Sequence, residues 1–198
     1  MLADQQAERK KFLEYSDLVY QGVVQRLLTA EGVITAMVTF EQDSQVDGNV
    51  ADGVLQNLVN TYPYINAIAK LDWVRRHDRN DYEKNMRENG MAKMSIREYD
   101  KKNDTFVEAK RRSSYLVTSI LIPMEPETSQ LLGLDLYINK EVQDAVLLAM
   151  EGNAVSMINV PEFLATEPGL IMMKNTYYGR LKPETLLESK REINGVVM

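Results

Sequence analysis

Residues 3–44 contain no proline and only two glycines. Apolar residues recur along them at Phe12, Tyr15, Val19, Val23 or Val24, Leu27, Val33 or Ile34, Met37 and Phe40. That spacing is close to the helical period of about 3.6. Glu8, Lys10, Lys11, Glu14 and Asp17 fill the opposite face early on. The pattern predicts one long helix, with Gly32 the natural place for a kink. Its length exceeds the usual globular helix and suits a stalk or a coiled-coil seam. A helix buried along its own domain gives the same pattern. Asp43–Asn49 is a loop by composition, and Val50–Asn60 a second helix with Val54, Leu55, Leu58 and Val59 on its apolar face. Pro63 ends it.

From residue 64 the period changes. Ile65–Val74 is strand-like. Asp78 caps a helix over Arg79–Glu88, and Gly90 stands where a C-terminal cap belongs. Met94–Tyr99 and Thr105–Val107 are short strands about the turn Lys101–Asp104. Ser114–Met124 and Leu131–Ile138 are apolar runs, expected as an antiparallel pair at the centre of a sheet. Lys140–Glu151 is a helix with Val142, Ala145, Val146 and Ala149 on one face, ended by Gly152. Ala154–Val160 and Leu170–Tyr178 are further strands, Glu184–Arg191 a polar helix, and Gly195–Met198 the start of another strand. A long helical front followed by an antiparallel sheet with flanking helices is an α+β fold. A sheet with helices on one side leaves a concavity, where small ligands usually bind.

Composition narrows the function. A hydrophobic share of 44% and a charged share of 26% are ordinary for a folded domain, which excludes wholesale disorder. The net charge is -6, and the runs Arg75-Arg76-His77 and Lys110-Arg111-Arg112 are short, so no nucleic-acid partner is expected. The chain has no cysteine, which removes thiolate catalysis, disulfides and cysteine-based zinc sites. No apolar run approaches the ~20 residues of a membrane helix, and Met1–Gln6 lacks the apolar core of a signal peptide. There is no G-x-S-x-G, Walker loop, H-E-x-x-H or dinucleotide glycine pattern, so neither a catalytic residue, a cofactor nor a metal is expected.

Several weak signatures then follow one another. They are Trp73 closing the first strand, Arg79, Tyr82 and Glu83 as R-x-x-[FY]-E, and the segment around Tyr115. Next come Leu134-Asp135-Leu136, Ala145 and Gly152 of the next helix, and Tyr177 at the end of a late strand. In that order they resemble the CHASE domain, the extracytoplasmic ligand-sensing region of membrane-bound histidine kinases and diguanylate cyclases. The resemblance implies a stalk helix with its neighbour (1–60), a membrane-distal PAS-like ligand-binding subdomain (61–166) and a membrane-proximal PAS-like segment, incomplete here (167–198). It implies a periplasmic receptor part, a homodimer through the N-terminal helix, and membrane contact only through transmembrane helices outside this sequence. It also implies a small-molecule ligand, whose identity stays open. Plant members, which recognise cytokinins, carry an aspartate where this chain reads Asn139-Lys140-Glu141-Val142, and a threonine near Met173. That specificity is therefore not carried over.

The candidate pocket follows partly from this resemblance and partly from expected sheet position. It comprises Tyr115, Ser119, Asp135, Tyr137, Glu141, Met157 and Met173, with Tyr177 beside them. Asp135, between Leu134 and Leu136, suits either a ligand contact or a structural carboxylate that must be paired if buried. Arg79 and Glu83 are spaced as a helix-surface ion pair, worth only ~0.3–0.5 kcal/mol. His77, among cations, reads as a solvated loop residue and Trp73 as core. The competing expectation is a ligand-free dimerisation or interaction module.

Overall fold

In the computed structural model the described residues are 2–42, 48–91, 93–152, 154–164, 168–177 and 193–198. Two helices lead: α1 (Leu2–Gln42) and α2 (Gly48–Thr61). Then come β1 (Ile68–Arg75), α3 (Arg79–Glu88), β2 (Arg97–Asp100), β3 (Thr105–Glu108) and β4 (Ser114–Ile122). A short helix α4 (Pro126–Ser129) and a 3-10 turn (Leu136–Ile138) precede α5 (Lys140–Gly152). Strands β5 (Ser156–Asn159), β6 (Leu170–Tyr177) and β7 (Ile193–Val197) complete the chain.

Five strands form one antiparallel sheet in the order β4-β1-β7-β6-β5, and β2–β3 is a separate hairpin. The architecture is α+β and consistent with a PAS-like unit. β5 and β6 pair with each other, so the division expected at residue 166 falls inside this sheet rather than between two sheets. The helix expected over Glu184–Arg191 and most of the loop after α1 lie outside the described residues.

The alternation of the strands sorts side chains onto two faces. On the outer face Val33, Ile34, Met37 and Val38 of α1 and Leu55 of α2 pack with Ile68, Ile122 and Val197. On the inner face Leu136 of the turn and Val142, Ala145, Val146 and Met150 of α5 cover Leu71, Leu116, Met173, Tyr177, Ile193 and Val196. α1 is the long helix expected, and its surroundings change along its length. Its last third is buried on the sheet, while Phe12, Leu13, Tyr15, Leu18 and Tyr20 stand exposed, Tyr20 at 68%. At 1.5 Å per residue the part before Val33 extends about 45 Å.

The expectation about membrane-length apolar runs needs correction. Gln5–Phe40 is long and apolar enough to cross a bilayer by length and composition. Arg26 and Glu31 interrupt its middle, however, and its end is packed on the sheet, so a membrane span is the weaker reading.

Leu131–Ile138 is not a strand, and β4 lies at the sheet's edge rather than its centre. The expected pairing shrinks to one antiparallel bridge, Val117 with Asp135, beside a parallel bridge of Leu134 with Arg97. Two local causes stop the strand. Gly133 has φ +79, and a Cβ there would meet the Ser95 carbonyl oxygen at 2.8 Å. Asp135 accepts the Tyr137 N–H at 3.0 Å and so turns the chain into the 3-10 helix. The two bridges join the hairpin to the edge of β4, which leaves less of that edge unpaired.

At Gly195 the packing is closest: a Cβ would collide with the Leu71 carbonyl of the neighbouring strand. Gly195→Ala is expected to lower stability by roughly 2 kcal/mol, seen as an earlier urea midpoint with an unchanged slope. An unaltered midpoint would show that β1 and β7 do not pack this closely.

Candidate functional site

Charge is concentrated where α3, the hairpin and β4 meet. Arg79 is buried and its guanidinium reaches the carbonyls of Ala109 at 2.7 Å and Ile96 at 3.4 Å. Its Nε donates to Glu83 Oε1 at 2.9 Å, and the same oxygen accepts the Ile96 N–H at 3.0 Å. The pair expected on the helix surface therefore docks α3 onto the hairpin. Spacing alone does not distinguish the two, because burial depends on what packs over the helix. Tyr82 completes the motif by donating to Asp72 at 3.0 Å. Burial, with the Asp72 carboxylate beside it, holds the Tyr82 hydroxyl well above its ordinary pKa.

Asp135 is fully buried and its carboxylate is fully engaged. Oδ1 accepts the backbone N–H groups of Leu116 at 2.9 Å and Tyr137 at 3.0 Å. Oδ2 accepts from Arg112 at 2.8 Å, and Arg112 is also paired with the buried Glu98. Burial pushes the Asp135 carboxyl up, against the pull of the two N–H groups and Arg112. Tyr115 stands between the arginines, 5.3 Å from Arg79 and 5.8 Å from Arg112 by ring centroid, and its hydroxyl accepts the Arg112 N–H at 3.1 Å. Asp135 and Tyr115 are thus committed to internal bonds. Ser119 is also buried, and its hydroxyl donates to the Lys70 carbonyl at 3.3 Å.

The remaining expected residues divide between two places. Tyr137 lies on the 3-10 turn rather than a strand, half-buried, with its ring edge-on to Trp73 at 4.8 Å. Trp73 is only partly buried, and Met173 is buried against the same inner core. Glu141 and Met157 instead line an open groove of about 360 Å³ between α5 and the edge strand β5, with Asp144, Leu148 and Ile158. The seven residues do not form one pocket. A larger open cleft, about 610 Å³, lies between Gly90–Arg97 and Ser129–Leu132 and contains none of them.

Sequence reasoning missed the aromatic rim of the inner face. Phe163 stacks on Tyr99 at 4.8 Å, Tyr99 meets Phe106 at 6.0 Å, and Arg97 lies 5.8 Å from the Phe106 ring. Phe106, Phe163, Trp73 and Tyr137 all pack against the inner core. The hairpin and the turn before β6 therefore close over one end of the layer beneath α5. No periodic signal marks Phe106 or Phe163, because each sits in a short segment. The same layer carries polar atoms without hydrogen-bond partners, among them Asn175 Oδ1 and Tyr177 OH. Among the described residues no cluster of three His, Asp or Glu side chains could hold a metal ion. His77 is exposed beside Asp78, as expected of a loop residue.

The family model described as "CHASE domain" matches residues 52–198. No curated protein matches the chain.

Asp135→Asn should destabilise the fold by about 3 kcal/mol, because Arg112 loses one of its two buried carboxylate partners. The double variant with Arg112→Leu should lose less than the sum of the single variants, measured by urea denaturation. Strict additivity would mean the two groups do not interact.

Proposed function

The chain belongs to the CHASE domain family, a sensory domain of membrane receptors, and on that premise we propose that it binds a small molecule beneath α5 and reports it through α1. The reading places the domain on the extracytoplasmic side of a receptor whose output is a histidine kinase or a diguanylate cyclase. The observation that carries it is the position of β6. Neighbouring residues of this strand touch opposite layers. Asn175 donates to the Val146 carbonyl of α5 at 3.1 Å. Lys174 donates to Thr35 of α1 at 3.2 Å. A molecule that separates or tightens α5 against the inner face displaces a strand on which the stalk also rests. Such a device signals only if the molecule binds two arrangements of α1 with different affinity.

Of the residues expected from the sequence, Tyr137, Met173 and Tyr177 are the proposed ligand contacts, with Trp73, Phe106 and Phe163 as the apolar rim. Aromatic and methionine side chains suit a partly apolar ligand. Glu141 and Met157, in the outer groove, would act on the ligand only if α5 moves.

α1 is the proposed dimer contact. Phe12, Tyr15, Val19 and Val23 are exposed along one side of α1, and a second copy would cover them. This stripe also favours the second reading, in which the domain dimerises without a ligand.

Native mass spectrometry of the purified chain separates the two. The sensing reading expects a bound small mass released on denaturation and diminished by Tyr137→Ala. A ligand-free dimer in every preparation, unaffected by small molecules in a thermal-shift screen, would favour the second reading. Val19→Lys with Val23→Lys is expected to convert dimer to monomer in light scattering without lowering the melting temperature. A dimer that persists would place the interface elsewhere.

A further inference from the structure

Ser156 Oγ, Asn175 Oδ1 and Tyr177 OH are buried and have no hydrogen-bond partner among the described residues. All three lie on the inner face. Ser156 pairs opposite Met173, and cross-strand partners project to the same side. Met173 and Tyr177 pack with α5, and Asn175 donates to it. Their residues are 4%, 1% and 5% exposed. An unmade hydrogen bond on a buried group costs about 1–3 kcal/mol, and native proteins leave few of them. These three share one face of two adjacent strands, while Thr176 Oγ1 is likewise unpartnered on the other face; a molecule bound in the inner layer would supply the three with partners that the described residues do not.

The atoms also say what those partners are. Asn175 is fixed in orientation, because only its Nδ2 can donate to the Val146 carbonyl. Its Oδ1 therefore faces the layer as an acceptor and needs a donor. The Ser156 and Tyr177 hydroxyls can donate and need an acceptor. Among the described residues, the side chains packed in this core are apolar or aromatic, such as Leu71, Val142, Val146 and Met150. The buried charges Arg79, Glu98 and Asp135 are engaged elsewhere, on the hairpin side of β4. Beneath α5, away from Arg97 at the rim, the described residues offer an ionised ligand no counter-charge to offset its desolvation cost.

We propose that the layer beneath α5 binds an uncharged small molecule that presents an N–H donor beside a carbonyl-type acceptor, as in a primary amide or a lactam. The assignment rests on the sensing role proposed above for this layer. Asn175 Oδ1 takes the N–H, and the Tyr177 hydroxyl, two residues along the same face, donates to the carbonyl oxygen; Ser156 lies on the other side of Asn175, opposite Met173. The apolar remainder of the molecule lies toward Trp73 and Tyr137.

Benzamide is the probe, with benzoate as its charged counterpart of equal size, and melting temperature is the readout. Benzamide at about ten times its Kd should raise the melting temperature by about 4 °C, and benzoate should not. Asn175→Leu should abolish that rise, read against the variant's own ligand-free melting temperature, because it removes the unpaired acceptor together with the hydrogen bond to the Val146 carbonyl. Tyr177→Phe, which removes one oxygen only, should weaken the rise at least threefold in Kd and covers the case in which the leucine variant fails to fold. Equal shifts from benzoate, or none from benzamide, would overturn the proposal. So would a stabilised Asn175→Leu variant with no response to benzamide in either protein, which would mean the layer holds only water. A co-purified mass that survives in Asn175→Leu would overturn this assignment while leaving the sensing role standing.

Discussion

The Asp135 carboxylate is the constraint on which the inner half of the molecule depends. One side chain fixes the edge of β4 through Leu116, starts the 3-10 turn through Tyr137 and holds Arg112, which is paired with Glu98 of the hairpin. The turn in turn delivers the chain to α5, where Asn139 accepts the Val142 N–H at 3.1 Å. Burying an ion this deeply is costly, and it is tolerated because every oxygen is used. The result is a rigid corner where hairpin, sheet edge and α5 are joined. Losing the corner would release α5 and the aromatic rim together.

That corner leaves the two faces of the sheet free to differ. The outer face is occupied by the end of α1 and by α2, a mainly apolar contact on which Thr176 Oγ1 is the one unpartnered atom among the described residues. The inner face combines an aromatic rim, an apolar core and unsatisfied polar atoms. Local sequence rules are usually broken at functional positions, where a protein accepts a cost to stability. Here the cost is confined to β5 and β6, and β6 is also the strand that meets α1 through Lys174.

Much of the fold was legible because helices and strands carry their period in the sequence. α3 was located to the residue, and α1, α2 and α5 to within a few positions. Leu131–Ile138 was misread because its apolar residues are continuous, and an apolar run does not say whether the chain stays extended. Gly133, with its positive φ, and the Asp135 cap on Tyr137 decide that, and neither shows in an apolar pattern. The site was less legible for the same reason. Arg79, Tyr82, Glu83, Tyr115 and Asp135 carry the family resemblance, yet they fasten the fold. Residues that recur in order reveal shared architecture, while the inner-face chemistry of Ser156 and Asn175 is not periodic and forms no motif.

The central claim is that β6 links the layer beneath α5 to the stalk. Hydrogen exchange resolved by mass spectrometry on the full chain, comparing the wild type with Met173→Val, tests it most directly. Met173 touches the inner core but not α1, and the substitution loosens the inner layer alone. The account predicts faster exchange in β6 and also in the Val33–Phe40 part of α1. Faster exchange confined to α5 and β5, with α1 unchanged, would contradict it.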